Sequence, residues 1–194
     1  MNNYYLYLLF FLIGLTTKVE AQRSVMYKNL EEAVQNKEHV YKLNLSRKKL
    51  DSLPNNLFQL KNLEYLDLSK NRLDHIPKEL KALQNLEHIN LSKNNFTDFP
   101  KIITELSQLQ EIIINNNKIT SIPKQIKYLN SLVKLDMWSN ELIEVPDEIG
   151  QLTSLKEVDL RVIQFSDREK ERILGLIPVS YTHLRAHETL LDLV

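Results

Sequence analysis

Apolar residues recur along the chain in a frame of 23 residues that repeats without insertion or deletion. The frame reads LxxLxLxxNxL, followed by an apolar residue and a proline, and it starts at Val40, Leu63, Leu86, Leu109, Leu132 and Leu155. The frame opened by Leu63 continues with Leu66 and Leu68, and the residues beside them, such as Tyr65 and Asp67, are polar. This alternation predicts a short β-strand with one face in a core and the other in water.

Each predicted strand is followed by a turn and an extended segment. The turn carries an asparagine in the four complete frames, at Asn71, Asn94, Asn117 and Asn140. An inward-facing Asn side chain can bond backbone groups that the turn leaves unpaired, whereas a solvated turn residue is the alternative. Six residues later a proline favours extended chain, and apolar positions such as Leu80 and Leu83 then cover the opposite wall.

One frame buries too little apolar surface to offset the backbone entropy of 23 ordered residues, so the frames must stack. The repeat over residues 40–165 resembles that of leucine-rich repeat proteins, with the pattern LxxLxLxxNxLxxLP. The resemblance implies an α/β fold: six coils of a leucine-rich repeat solenoid, wound as a curved right-handed superhelix with parallel strands on its concave face.

Helix-capping signals flank the six frames. Asn29 is followed by Glu32 and Ser166 by Glu169, which is the spacing of a capping box. The sequence therefore predicts helical caps at both ends, an N-terminal capping helix within 22–39 and a C-terminal one within 166–177. Lys48 and Ile163 replace the turn asparagine in the first and last frames, as expected of atypical terminal repeats.

The N-terminal segment has the pattern of an export signal. An apolar run over residues 6–15 is short for a membrane span, and Val19 and Ala21 fit a small-residue cleavage site. We expect residues 1–21 to be a cleaved secretory signal peptide. An uncleaved membrane anchor is the alternative, because residues 2–5 contain no Lys or Arg.

The C-terminal segment resembles a translated sequencing adapter. Residues 179–184 read VSYTHL, the in-frame translation of a transposase adapter, and we expect residues 178–194 to be non-native. For that reason the potential metal ligands His183, His187 and Glu188 are not assigned a site. No metal or cofactor is expected.

Composition excludes several classes of protein. The chain has no cysteine, which excludes disulfides and thiolate sites, and its formal net charge of +0 lacks the basic excess of a nucleic-acid binder. Three glycines do not provide a phosphate-binding loop. Extracellular leucine-rich repeat proteins of animals and plants usually carry disulfide-stapled caps, so the resemblance is to the bacterial secreted type, placed in the periplasm, at the cell surface or outside the cell.

The candidate site lies on the solvent-facing side of the predicted strands. Ile113 and Trp138 form an exposed apolar pair on adjacent coils, a composition typical of an interaction hot spot. Stray surface hydrophobes, with Trp138 folded down over its neighbours, are the alternative. The predicted partner-binding residues are Tyr65, His88, Glu111, Ile113, Lys134, Asp136 and Trp138.

These patterns predict a non-enzyme. Asp67, His88 and Ser92 could be imagined as a hydrolase triad, but the face is open and offers no oxyanion donor. We expect an exported monomer that binds a protein or peptide on its concave face and does not insert in a membrane after signal cleavage. The alternatives are binding of a glycan or cell wall, a structural or adhesive surface component that self-associates, and a non-catalytic part of a larger protein.

Overall fold

In the computed structural model, which describes residues 22–177 and 181–183, eight parallel strands form one sheet in chain order. The strands are β1 Met26–Tyr27, β2 Lys42–Asn44, β3 Tyr65–Asp67, β4 His88–Asn90, β5 Glu111–Ile113, β6 Lys134–Asp136, β7 Glu157–Asp159 and β8 Tyr181–His183. From β2 to β7, each residue pairs with the residue 23 positions later, as Leu66 does with Ile89. The predicted solenoid of stacked coils is confirmed.

The core runs through all six coils as one continuous cluster. The central residue of each strand from β2 to β7 is at most 1% exposed, and the apolar residue two positions later is at most 4% exposed. Burying a leucine fully contributes about 1.5–3 kcal/mol, so these two rows stabilise the stack more than any surface contact does. They also fix the register, since a slip of one residue would move these apolar side chains from the core face to the solvent face.

Short 3₁₀ helices form the wall opposite the sheet. They span Asn55–Gln59, Lys78–Ala82, Lys101–Glu105, Lys124–Tyr128 and Asp147–Gln151. Each begins directly after the frame's proline, whose extended conformation sets the chain direction. The third residue of each helix, such as Leu80, is buried against the core. The sequence pattern predicted the extended segment and the burial but not the 3₁₀ form.

The N-terminal cap combines a strand with a helix. Helix α1, Leu30–Gln35, begins at Asn29, whose Oδ1 accepts hydrogen bonds from Glu31 N at 2.8 Å and Glu32 N at 3.2 Å. Ala33 of this helix is buried in the core. The segment 22–39 is not a single helix, because β1 precedes α1 and extends the sheet, and a 3₁₀ helix, Lys37–His39, follows it.

The C-terminal cap is helix α2, Asp167–Leu176, in which Ile173 is buried. Ser166 Oγ accepts from Glu169 N at 3.2 Å, but the Glu169 carboxylate turns toward the previous coil and accepts the N–H of Val145 at 3.0 Å. Arg172 donates both to Glu169 and to the Val145 carbonyl. The hydrogen bond from Arg172 lowers the pKa of Glu169 against the effect of burial. These bonds hold α2 against the last coils.

The sheet extends beyond the sixth coil through β8. The backbone of β8 pairs with β7, with Glu157 opposite Tyr181, although we expect this segment to be adapter-derived. An open strand edge accepts any extended segment that reaches it. The predicted signal peptide, residues 1–21, lies outside the described residues, as does most of the tail. Within the described ranges, the structure contains no helix of the length and hydropathy needed to cross a bilayer.

Candidate functional site: the outward face of the sheet

The outward side chains of β2 to β7 and of the turns that follow form three parallel rows, together called the strand face. The first, the outer row, contains Lys42, Tyr65, His88, Glu111, Lys134 and Glu157. The rings of Tyr65 and His88 have centroids 6.2 Å apart, and His88 Nδ1 lies 3.2 Å from Glu111 Oε2. Lys134 Nζ lies 3.7 Å from Glu111 Oε1 and 3.3 Å from Glu157 Oε1. Four of the seven predicted site residues therefore form one connected row.

Charges in the outer row are matched to each other. Burial raises the pKa of Tyr65, and the negative charges of Asp67 and Glu111 raise it further. Burial lowers the pKa of Lys134, but Glu157 and Glu111 outweigh burial and leave that pKa raised. Lys134 is therefore held in its charged form between two carboxylates, and the outer row presents alternating rather than uniform charge.

The second row consists of the last residue of each strand, and most of these residues form the same hydrogen bond between side chain and backbone. It contains Asn44, Asp67, Asn90, Ile113, Asp136 and Asp159. In five of these positions the side-chain oxygen accepts the backbone N–H two residues later, as Asp67 Oδ1 does from Ser69 N at 2.8 Å. Asp67 and Asp159 are buried, although their polar side chains at outward positions predicted contact with solvent. Their carboxylates accept hydrogen bonds from backbone N–H groups, and these bonds satisfy the polar groups of the turn.

Ile113 is the exception among the six described coils. Its side chain offers no acceptor to the N–H of Asn115, so the strand-ending bond is absent from this coil. The Asn115 side chain donates instead to Asp136 Oδ2 at 2.8 Å and accepts from Asn116 at 2.9 Å. The coil with an apolar residue in the second row therefore lacks the hydrogen bond that the other five coils make.

The third row follows the strands and contains Ser46, Ser69, Ser92, Asn115, Trp138 and Arg161. Ile113 pairs in register with Asp136, two residues before Trp138, so the predicted apolar pair lies on adjacent coils. Both side chains are partly buried, whereas the sequence predicted them exposed. Strands in a sheet lie about 4.8 Å apart, so neighbouring coils leave an outward side chain less exposed than an isolated strand would.

Asp136 and Asp159 have different environments. Arg161 donates to both carboxylate oxygens of Asp159, with Nη2 2.6 Å from Oδ2. Asp136 has the Asn115 amide and a long 3.4 Å bond from Trp138 N. Burial raises the pKa of Asp136, and the charge of Asp159 raises it further, against the Asn115 bond. The carboxyl group of Asp136, which pairs in register with Ile113, therefore loses its proton less readily than that of an exposed aspartate.

The imagined triad does not assemble. His88 is bonded to Glu111, and Asp67 is bonded to Asn44 and to Ser69. Ser92 is buried in the third row. The three residues have separate partners in the described chain, which leaves no nucleophile and base in contact.

The four turn asparagines form a buried ladder inside the turns. Asn117 Nδ2 donates to the carbonyls of Leu91 and Ile114, while its Oδ1 accepts from Asn94 N and Phe96 N. Each ladder asparagine thus holds its own turn and the turn of the preceding coil. Asn71 serves the first coil in this way, where Lys48 replaces the asparagine.

One surface residue was missed by sequence reasoning. Met26 in β1 pairs with Lys42 and continues the outer row toward the N-terminus, and it is 37% exposed. A two-residue strand carries no alternation that could have predicted it. The outer row therefore begins one strand earlier than expected.

The comparisons with known proteins agree with this architecture. A family model described as a leucine-rich repeat region matches residues 39–178, and the chain belongs to the leucine-rich repeat proteins. A leucine-rich repeat protein of Leptospira interrogans is similar, with 36% identity and a TM-score of 0.67 over 84% of this chain and 47% of that one. No curated protein matches the sequence.

Two further solved structures share the fold. Internalin C2 of Listeria monocytogenes has 24% identity and a TM-score of 0.62 over 75% of this chain and 60% of that one. The PEPR1–AtPEP1 structure has 26% identity and a TM-score of 0.65 over 78% of this chain and 22% of that chain. The chain spans about half of the length of the Leptospira protein, or 47%. Its fold is one that commonly serves in binding.

Proposed function

We propose that this chain is a non-catalytic module that binds a protein or peptide along the strand face, with Ile113 and Trp138 at the centre of the contact. The observation that carries the proposal is the exception at Ile113, where the fold forgoes a hydrogen bond that the other five coils make. Positions that depart from an otherwise uniform local rule tend to be functional.

The surroundings of this pair favour recognition over catalysis. A partly buried tryptophan beside an aliphatic residue has the composition of a binding hot spot. The matched charges of the outer row would orient a partner more than they would add affinity. Among the similar structures, the PEPR1–AtPEP1 structure supports a binding role.

Export is part of the same proposal. The apolar run at residues 6–15, the cleavage pattern that ends at Ala21 and the absence of cysteine support a secreted, periplasmic or surface location. N-terminal sequencing of the protein recovered after expression in a bacterial host tests it. A mature chain beginning at Gln22 outside the cytoplasm is expected, and retention of the intact N-terminus would contradict cleavage.

A selection from displayed random peptides, followed by affinity measurements on the selected peptides, tests the binding role. The double variant Ile113→Asp and Trp138→Ala should weaken binding at least tenfold while the circular dichroism spectrum is unchanged. The matched control is Ile143→Asp with Tyr128→Ala, an isoleucine and an aromatic residue exposed elsewhere on the solenoid. The control should leave affinity unchanged.

Three outcomes would contradict the proposal. Equal loss in both double variants would mean that the selected peptides bind elsewhere. Binding to purified cell-wall glycans without any selected peptide would favour the glycan alternative. Sedimentation that shows concentration-dependent self-association, instead of the expected monomer, would favour a structural or adhesive component.

A further inference from the structure

We propose that a cleft at the N-terminal end of the solenoid binds the C-terminal residue of a peptide that ends in an apolar amino acid. The cleft has a volume of about 390 Å³ and lies between the start of α1 and the first coil. Neither Ile113 nor Trp138 lines it, so it is a second site, separate from the proposed contact on the strand face.

The wall of the cleft is apolar. Leu30 of α1 faces it together with Leu45 and Leu50 of the first coil. Leu45 is buried, whereas Leu30 and Leu50 are only partly buried against the core. Helix α1 has six residues and cannot cover the whole end of the solenoid. The part that it leaves open has the size and lining to hold a branched aliphatic side chain.

Two lysines give the cleft a positive charge. Lys28 and Lys48 both line it and both are exposed, and within residues 22–177 neither forms an ion pair. Arg47 and Lys49 flank Lys48 in the chain, while Glu31 is the carboxylate in the lining. Lys48 also stands where the complete frames carry an asparagine. This excess of positive charge is complementary to a carboxylate.

A residue in the wall of the cleft carries an unsatisfied acceptor. Asn56 lines it, and the buried Asn56 Oδ1 finds no hydrogen-bond donor among the described residues. A buried acceptor without a donor is unfavourable, and native proteins rarely keep one. A ligand that brings an N–H would remove this cost once the Asn56 side chain turns its Oδ1 toward the cleft. A carboxylate, an N–H and an apolar side chain occur together in the last residue of a peptide.

The test compares three small probes on the full chain. N-acetyl-leucine carries all three groups, whereas N-acetyl-leucinamide lacks the carboxylate. In ¹⁵N–¹H correlation spectra, N-acetyl-leucine should shift the amide signals of Leu30 and Leu50 with a Kd in the millimolar range, as expected for a fragment of this size. The leucinamide should bind at least tenfold more weakly. N-acetylglycine, which lacks the apolar side chain, should also bind more weakly.

Matched double variants test whether Lys28 and Lys48 supply the positive charge that binds the carboxylate. Lys28→Ala with Lys48→Ala should weaken N-acetyl-leucine binding at least fivefold. Lys78→Ala with Lys101→Ala removes two exposed lysines of the 3₁₀ helices and should change nothing. Equal affinity for the acid and the amide, no effect of the first double variant, or shifts confined to the strand face would each overturn this proposal. None of these results bears on the role of Trp138, which the peptide selection tests separately.

Discussion

The side-chain amide of Asn117 donates a hydrogen bond to the carbonyl oxygen of Leu91, 26 residues earlier, at 3.1 Å. The same bond joins Asn71 to Leu45, Asn94 to Leu68 and Asn140 to Ile114. Each turn is therefore held by a side chain that belongs to the next coil. Since both partners are buried, the bonds are protected from competition with water.

Replacing Asn117 with Ala should lower the free energy of unfolding by about 1–3 kcal/mol, because the N–H groups of Asn94 and Phe96 lose their acceptor inside the protein. Urea denaturation followed by circular dichroism measures the change. Asn130→Ala, the same change at an exposed position, is the control and should cost far less. Similar losses in the two variants would argue against the ladder's role.

Replacing Ile113 with Asn should separate stability from binding. The new side chain can accept the N–H of Asn115 and restore the bond that the other strands make. Because one such bond contributes about 0.5–1.5 kcal/mol, we expect the free energy of unfolding to stay equal or rise. Peptide binding on the strand face should fall in the same sample. Lower stability together with unchanged binding would refute both parts.

Replacing Asp136 with Asn should change how stability depends on pH. The raised pKa of Asp136 means that the folded protein binds this proton more tightly than the unfolded chain does. Wild-type stability should therefore fall, relative to the variant, as pH rises from the ordinary pKa of Asp through the raised one. Below and above that window the difference should be constant. Denaturation of both proteins across the acidic range measures this difference, and wild-type stability that rises relative to the variant as pH rises would contradict the assignment.

Replacing Val162 with Asn should stabilise the protein. Val162 has a φ of 66°, where a β-branched side chain is strained, and it is 59% exposed, so its removal forfeits little burial. Asn116 holds the same turn position in another coil with a φ of 53°. We expect a gain of about 1 kcal/mol from relief of this strain. Ile143→Asn, at an exposed position, is the control for loss of an apolar surface residue, and an equal effect there would contradict the strain argument.

Periodicity predicted most of the fold because each coil places its strand, its turn and its buried residues at the same positions of the 23-residue frame. A leucine in the wrong column would face water, so positions such as Leu66 and Leu68 could be assigned to the core from spacing alone. The capping residues Asn29 and Ser166 were also predictable, because a cap depends on neighbours within three residues.

Contacts between coils were harder to predict. Asp67 has a polar side chain on an outward position, which indicates solvent exposure, yet it is buried and accepts a hydrogen bond from Asn44 in the preceding coil. Glu169 fits a capping box, yet Val145 in the preceding coil is its partner. In both cases the deciding atom lies in a neighbouring turn, at a distance that depends on how closely the coils stack.

The forward reach of the asparagine ladder bears on how such a chain can lengthen. A complete coil brings the side chain that its predecessor needs and leaves its own turn to be completed by its successor. Gene duplication or deletion of one 23-residue unit inside the array would therefore create no new kind of junction. Evolution can adjust the size of the surface in whole units, while a change of any other length would break the spacing between partners at the junction where it falls.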